Sequence, residues 1–167
     1  MSKKERKLTS VDIIISQTDV DGNIIYANPI FYKIAGYNYG ELIGESHNII
    51  RHSDMPKVIF KSLWERLKRK EEVYSFIKNR CKDENFYWVI AYVRPSMDVD
   101  GRVRNYISTR KAMSLKAKSI IEPLYQNLLS IEKMYGIDSS QKKFEEFIEK
   151  NRYGSSSIND IIKNIQY

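Results

Sequence analysis

The sequence predicts an α+β fold with a five-stranded antiparallel sheet, helices and a helical C-terminal extension. Two short strand-like segments precede residue 28, three longer ones lie between residues 73 and 109, and helical periodicity separates the two groups. Strand patterns end at Lys111. We therefore expect a basic N-terminal segment over residues 1–10, the folded domain over 11–110 and the helical extension over 111–167.

The first two strands are predicted to form a hairpin. Ile13 to Thr18 is apolar and rich in β-branched residues, which is typical of a strand. A turn with Asp-Gly at residues 21–22 follows, and a second strand is predicted from Asn23 to Ala27. Strands joined by so short a turn pair antiparallel.

A helix start follows the hairpin directly. Asn28 is a good N-cap, and Pro29 suits the first helical position because that position needs no N–H donor. The helix is predicted to end at Gly36. Residues 39–43 predict another short helical turn, closed by Gly44.

A longer helix is predicted after the loop at residues 45–56. Its apolar residues recur at helical spacing with charged residues between them. The apolar members are Val58, Ile59, Phe60, Leu63, Trp64 and Leu67.

Three strands close the domain. They are predicted over Val73 to Cys81, Phe86 to Pro95 and Val103 to Thr109. Turn residues at 82–85 and 98–101 separate them, so neighbouring strands are expected to run antiparallel.

The chain after Lys111 is predicted to be helical. The periodicity from Ala112 to Tyr135 indicates a helix, with Pro123 as a break or a second start. Residues 138–140 are expected to cap a further helix that runs from Gln141 to Asn151.

A linker and a tail helix complete the prediction. The Gly-Ser-Ser-Ser run at residues 154–157 is typical of a flexible linker. Isoleucines at helical spacing between Ile158 and Ile165 then predict a short amphipathic helix.

Composition and charge exclude several function classes. The 167 residues carry a net charge of +7, yet no helix-turn-helix, zinc-finger or RNA-recognition signature accompanies it, so we expect no nucleic-acid partner. No run approaches the ~20 apolar residues of a membrane span. The single cysteine, Cys81, suits a reducing compartment, and we expect a cytoplasmic protein.

Several of these segments together resemble a PAS domain. They are the Asp-Gly hairpin, the junction Ile25-Tyr26-Ala27-Asn28-Pro29-Ile30-Phe31, Gly36-Tyr37 before Glu41-Leu42-Ile43-Gly44, and Tyr87-Trp88 in a closing strand. The resemblance covers residues 11–110. It implies a five-stranded antiparallel sheet with helices on one face.

A narrower resemblance is to the PAS domains of aerotaxis (energy-taxis) receptors. It is carried by the run Arg51-His52-Ser53-Asp54-Met55-Pro56, by Lys78-Asn79-Arg80 and by Glu122-Pro123-Leu124-Tyr125. The first run is the most specific of the three. The resemblance implies noncovalent FAD, a report of redox or respiratory state, and a signal to the chemotaxis machinery.

The chain lacks the membrane span, HAMP-like segment and long signalling coiled coil of a full receptor. It therefore resembles the stand-alone PAS half of a bipartite, CetB-like energy-taxis receptor. This implies a membrane-bound chemoreceptor-like partner that brings the protein to the membrane. The sequence leaves open whether the protein forms a homodimer, for which residues 112–135 and 158–165 are candidate assembly surfaces.

Four residues are candidates for contact with a flavin ring. Phe60 and Trp64 share a helical face with Leu67 that would wall the ring, although by itself the pattern favours simple packing on the sheet. The amides of Asn28 and Asn79 could bond the ring edge. For Asn28, plain N-capping is an equal reading, whereas Asn79 is unusual inside a strand. The Tyr87-Trp88 strand adds Trp88 as a further expected contact.

The motif loop offers candidates for the rest of the cofactor. Arg51 suits bidentate phosphate contacts. His52 would donate to a phosphate or a ribose. Asp54 would accept from a ribose hydroxyl or cap the helix that begins at Pro56. Apart from the resemblance, this run predicts a surface loop.

The sequence also constrains chemistry and leaves alternatives. It contains no nucleophile elbow, Walker loop or dinucleotide glycine fingerprint, so we do not expect an enzyme. Cys81 lies at a strand end rather than on a helix beside the ring, which argues against a photochemical adduct. A cofactor-free interaction module, or a haem domain using His47 or His52, is the alternative function.

Overall fold

The computed structural model describes residues 3–152, 154 and 157–167. The predicted linker includes Ser155 and Ser156, which lie outside the described residues. The strands and helices are β1 (Ile14–Thr18), β2 (Ile24–Ala27), α1 (Pro29–Ala35), a 3-10 turn (His47–Ile50), α2 (Lys57–Lys68), β3 (Val73–Arg80), β4 (Phe86–Met97), β5 (Val103–Ala112), α3 (Leu115–Tyr135), α4 (Ile137–Lys150) and α5 (Ile158–Gln166).

The five strands form one antiparallel sheet in the order β2-β1-β5-β4-β3. The predicted hairpin and closing strands are therefore confirmed. The first strand pairs with the last, since Ser16 lies opposite Ser108. This pairing brings residues about 90 positions apart onto one face of the sheet, where side chains alternate between faces.

The predicted start and end of α1 are confirmed. The Asn28 side chain accepts a hydrogen bond from the Phe31 N–H at 3.2 Å, and Pro29 occupies the first turn. Gly36 ends the helix with φ of 76°, a left-handed conformation that glycine adopts without steric cost.

Three local predictions are wrong. Residues 39–43 form turns rather than a helix, with i to i+3 hydrogen bonds such as Glu41 N–H to Asn38 C=O. Helix α3 continues through Pro123, because buried Ile121 and Tyr125 hold both sides of the proline in place. Helix α4 begins at Ile137, so residues 138–140 lie inside it, and no side chain of the residues described caps it.

The two sheet faces carry different helices. Helices α1 and α2 cover the face of Asn79 and Tyr87, which we call the inner face. On the outer face, Trp88 packs against Tyr125 of α3, with ring centroids 5.9 Å apart. The predicted helices on one face are thus joined by C-terminal helices on the other.

The C-terminal helices also cover the free edge of β3. The Tyr125 hydroxyl donates to the Phe76 carbonyl at 2.7 Å, and Asn159 of α5 accepts from the Tyr74 N–H at 2.9 Å. An exposed strand edge invites pairing with other chains, so these contacts protect it. Among the helices described, none combines the length and apolar character needed to span a bilayer.

The N-terminal segment packs against the same domain. The Arg6 N–H donates to the Phe86 carbonyl at 2.7 Å, and its guanidinium reaches the Ile34 carbonyl and the Asp83 carboxylate. Glu5 pairs with Lys118 of α3. Part of the predicted basic segment therefore connects the sheet to the helical extension.

Candidate cofactor site

A cavity lies between α2 and the inner face of the sheet, and we call it the ring cavity. It encloses about 80 Å³. The lining residues are Ser16, Thr18, His47, Asn48, Ile50, Arg51, Phe60, Leu63, Trp64, Leu67, Ile77, Asn79, Val93, Tyr106, Ser108 and Arg110.

Aromatic side chains from α2 narrow the ring cavity. Phe60 and Trp64 both line it, and Trp64 meets Tyr106 of β5 edge-on at 5.4 Å. Ligand pockets usually measure ~300–1,000 Å³, several times this volume. A fused-ring ligand therefore needs the α2 side chains to move outward.

The cavity wall buries polar atoms that have no hydrogen-bond partner among the described residues. They are Nδ2 of Asn79, a residue that is 3% exposed and lies beside the Tyr87 hydroxyl, and Nε and Nη1 of Arg110, which is 1% exposed. Buried polar groups in folded proteins are nearly always bonded, so each exception calls for an explanation. A ligand with hydrogen-bond acceptors would supply the missing partners.

Arg110 is a buried cation in this wall. One guanidinium nitrogen donates to the Ser16 hydroxyl at 2.7 Å, and the group stacks over the Phe31 ring at 4.3 Å. Burial lowers the pKa of its guanidinium. Burying a charge without a carboxylate partner costs several kcal/mol, which the rest of the fold must offset.

His47 lies beside Arg110. Its Nε2 is 3.4 Å from the Ser16 hydroxyl. Burial, followed by the positive charge of Arg110, lowers the pKa of His47 to about 3. The ring is therefore neutral at pH 7 and keeps one donor and one acceptor.

Arg51 separates the ring cavity from a second, larger cleft. Its guanidinium lies 4.5 Å over the Phe60 ring, and its backbone bridges to Asn79 at the edge of β3. Arg51 and Asn48 line both spaces. Arg51 therefore stands at the boundary between the ring cavity and this second cleft.

The second space, which we call the outer cleft, encloses about 780 Å³. Its ionisable wall is mostly basic. The basic side chains are Lys3, Arg51, His52, Lys57, Arg80 and Lys133, against the carboxylates of Glu84 and Glu132.

The family model for the PAS fold matches residues 24–110, just over half of the chain. The chain belongs to the PAS family. Its PAS region contains β2 to β5 and therefore most of the ring cavity.

The protein is similar to signalling proteins that are several times longer. It is 35% identical to the aerotaxis receptor of Escherichia coli (strain K12) over 128 residues, 77% of this chain and 25% of the receptor. It is 27% identical to the nitrogen fixation regulatory protein of Klebsiella oxytoca over 103 residues, 62% of this chain and 21% of that protein. The chain thus spans a quarter or less of these relatives.

Solved PAS-like structures share the fold. The light-state LOV domain of Aureochrome1 matches with a TM-score of 0.60 and 17% identity, covering 66% of this chain and 88% of that one. A light-oxygen-voltage domain studied with a flavin analogue matches with a TM-score of 0.58 and 21% identity, covering 69% and 86%.

In this PAS domain, four of the eight predicted site residues line the ring cavity. They are Arg51, Phe60, Asn79 and Trp64. The strand-interior position of Asn79, unusual in the sequence, places its amide at the cavity.

His52 and Asp54 lie beyond the ring cavity, where they hold the motif loop together. The Asp54 N–H donates to Nδ1 of His52 at 3.0 Å, and the Asp54 carboxylate accepts from Lys78 at 2.7 Å. His52 lines the outer cleft and meets Phe86 edge-on at 5.8 Å. Both residues therefore support the backbone that carries Arg51.

Asn28 and Trp88 lie away from the cavity. Asn28 uses its side chain to accept from the Ile15 and Phe31 N–H groups and to donate to the Ile13 carbonyl, which ties α1 to β1. The N-capping reading accounts for the Phe31 contact, and the other two hold the cap to β1 and the residue before it. Trp88 faces the opposite side of the sheet because it is one residue out of phase with Tyr87.

Arg110 and His47 are site residues that the sequence reasoning missed. A signal for Arg110 was present: Tyr106, Ser108 and Arg110 alternate along β5, so an inward tyrosine implies an inward arginine. His47 was considered only as a haem or metal ligand. Its position beside Arg110 depends on the fold of the 47–50 turn.

Proposed function

We propose that this PAS protein is a flavin-binding redox sensor of energy taxis. The observation that carries the proposal is the group of unpartnered buried polar atoms on Asn79 and Arg110 at the ring cavity. The likeness to a protein named an aerotaxis receptor supports the same function.

The chemical character of the lining residues fits a flavin once the α2 side chains move outward. An isoalloxazine ring needs an apolar slot and polar groups at its uracil-like edge, and when bound it supplies reversible electron transfer. Phe60, Leu63 and Trp64 would wall the ring. The Asn79 amide and the Arg110 guanidinium would donate to its carbonyl or nitrogen acceptors.

Arg110 would couple the redox state to the protein. A buried cation favours additional negative charge nearby, and burial strengthens that preference because the local dielectric is low. A more electron-rich ligand would draw Arg110 closer and alter its bond to the Ser16 hydroxyl. A sensor acts only through contacts that differ between its two states.

The outer cleft favours FAD over a mononucleotide. A flavin ring in the ring cavity would direct its chain past Arg51 into a space of about 780 Å³ lined by lysine and arginine. Guanidinium and ammonium groups bind diphosphates well. His52 and Arg80 on the cleft wall would add contacts to the phosphates or the riboses.

The proposed partner is a membrane-bound chemoreceptor-like protein. The chain covers a quarter of the aerotaxis receptor it matches, so receptor functions outside this region would come from another polypeptide or segment. We propose a cytoplasmic location with attachment to the membrane through that partner. Formation of a homodimer belongs to the same proposal.

The visible absorbance of freshly purified full-length protein tests the flavin. We expect a flavin spectrum that dithionite bleaches and air restores, with FAD as the released cofactor. A Soret band would indicate haem instead. A protein that is colourless when purified, and that retains no FAD after incubation with it and removal of the free cofactor, would overturn the proposal. Steady turnover with a nicotinamide donor would contradict a purely sensory role.

The ring cavity also favours a second candidate, a cofactor-free interaction module. At about 80 Å³ the cavity is small for any cofactor. Apolar side chains are also exposed at this end of the sheet: Ile13, just before β1, and Ile25 and Tyr26 of β2 are 39–47% exposed. Such a module would bind partners through the sheet. The same absorbance measurement decides between the two functions.

A further inference from the structure

The first turn of α2 is capped by a residue from the helical extension. Both oxygens of the Glu132 carboxylate accept backbone hydrogen bonds, from the Lys57 N–H at 3.0 Å and the Val58 N–H at 2.9 Å. These N–H groups have no partner within the helix because they lie in its first turn. The predicted cap, Asp54, is instead engaged by Lys78.

The Glu132 carboxylate lies where three helices meet. It belongs to α3, and the buried Ser140 of α4 places its hydroxyl 3.4 Å from one carboxylate oxygen and 3.3 Å from the Leu128 carbonyl. A second link joins α2 to α4, where Lys61 donates to Gln141 at 2.6 Å. Displacement of α2 therefore acts on α3 through Glu132, and on α4 through both Glu132 and Lys61.

Helix α2 also forms one wall of the ring cavity. Phe60 and Trp64 lie within two turns of the capped N–H groups, and both would shift to admit a ring-sized ligand. Closely packed helices shift as units rather than deform locally. The displaced wall thus carries its capped first turn with it.

We infer that Glu132 is a positioning residue for the ring cavity: it fixes the first turn of α2 and passes displacement of Phe60 and Trp64 to α3 and α4. The inference rests on the proposed function for the identity of the ligand. We expect the Glu132 cap to be stronger than a neutral one, because a carboxylate at a helix N-terminus gains from both charge-assisted hydrogen bonds and the helix dipole.

Amide hydrogen exchange by NMR on the full chain tests the cap. Glu132→Gln removes the charge and one acceptor, so Lys57 and Val58 amides should exchange about threefold to thirtyfold faster, the range for loss of an N-cap. The matched control is Glu146→Gln, which breaks an exposed pair with Lys143 on α4 and should leave those amides unchanged. Wild-type exchange of both amides in Glu132→Gln would overturn the inference.

A second comparison tests transmission from the cavity. Trp64→Phe replaces an indole in the cavity wall with a smaller ring, and it should change the amide exchange rates of residues 137–145. In the Glu132→Gln background the same substitution should produce no further change there. The inference fails if Trp64→Phe leaves residues 137–145 unaffected, or if it acts equally in both backgrounds. Glu132→Asp, which keeps the charge but shortens the side chain, serves in place of Glu132→Gln if that variant unfolds.

These comparisons need no bound flavin. Absence of a flavin spectrum from the wild-type protein would defeat the proposed cofactor while the exchange rates still decide the role of Glu132. A flavin-loaded protein with unaltered exchange in Glu132→Gln would defeat the inference alone.

Discussion

Arg110 and Arg66 are both buried arginines, but they differ in how many of their hydrogen-bond donors have partners. Arg66, near the edge of β3, donates to the Glu71 carboxylate, the Glu72 carbonyl and the Asn159 amide oxygen. Arg110, at the ring cavity, donates only to the Ser16 hydroxyl, and two of its nitrogens lack partners in the described part of the chain.

The difference distinguishes a structural region from the proposed cofactor site. The β3 edge satisfies its polar groups and gains stability from them. At the ring cavity, by contrast, donors lack hydrogen-bond partners, and the buried charge of Arg110 lowers the stability of the fold. A polar, planar ligand would pack against the aromatic side chains and accept hydrogen bonds from these donors.

The largest expected effect comes from replacing each arginine by methionine. Arg66→Met should lower the free energy of unfolding by about 2–3 kcal/mol, because it removes charged hydrogen bonds and leaves acceptors unpaired. Arg110→Met should leave it unchanged or raise it, because an uncompensated buried charge disappears. Urea denaturation of flavin-free protein measures both. Equal losses in the two variants would remove the distinction between the regions.

A second prediction compares two asparagines within the domain. Asn79→Ala should weaken flavin binding about tenfold or more, since a charged or polar ring edge loses a buried donor. Asn28→Ala should cost about 1 kcal/mol of stability, the usual value of an N-cap, and leave the affinity of the folded protein unchanged. Flavin titration at a temperature where both variants are folded measures this. Equal weakening by both would place Asn28 back at the ring.

A third, smaller effect concerns pH. Burial and the charge of Arg110 lower the pKa of His47 from 6.5 to about 3. Below pH 6.5 the unfolded chain therefore binds a proton that the folded protein does not, and stability falls as pH falls towards 3. His47→Gln removes this loss. Between pH 6.5 and about 5, wild type should lose about 1–2 kcal/mol more than the variant. Parallel pH profiles in urea denaturation would show that His47 does not resist protonation.

Local rules predicted much of the fold from sequence. The Asp-Gly turn, the Asn28-Pro29 helix start and the Gly36 stop each depend on a few neighbouring residues, and all three occur as expected. The Arg51 and Asn79 candidates at the cavity came from a motif and from an unusual strand residue. Both kinds of signal are visible in a single segment.

The missed features depend on contacts between distant residues. Arg110 reaches the Ser16 hydroxyl because β5 pairs with β1, which places Arg110 opposite Ile14 and Ser108 opposite Ser16. Glu132 caps α2 across 74 residues of chain, so no local pattern near Lys57 announces it. Pro123 remains inside α3 for the same reason, since packing against the sheet outweighs its local preference.

The reduction potential of the bound flavin in Arg110→Met tests the central claim most directly. If Arg110 lies beside the ring and favours added negative charge, the potential of the variant should fall by about 60 mV or more, a tenfold change for one electron. The matched control is Arg66→Met, which should keep the wild-type potential. Equal potentials in the wild type and Arg110→Met would contradict a redox-sensing role for the buried arginine.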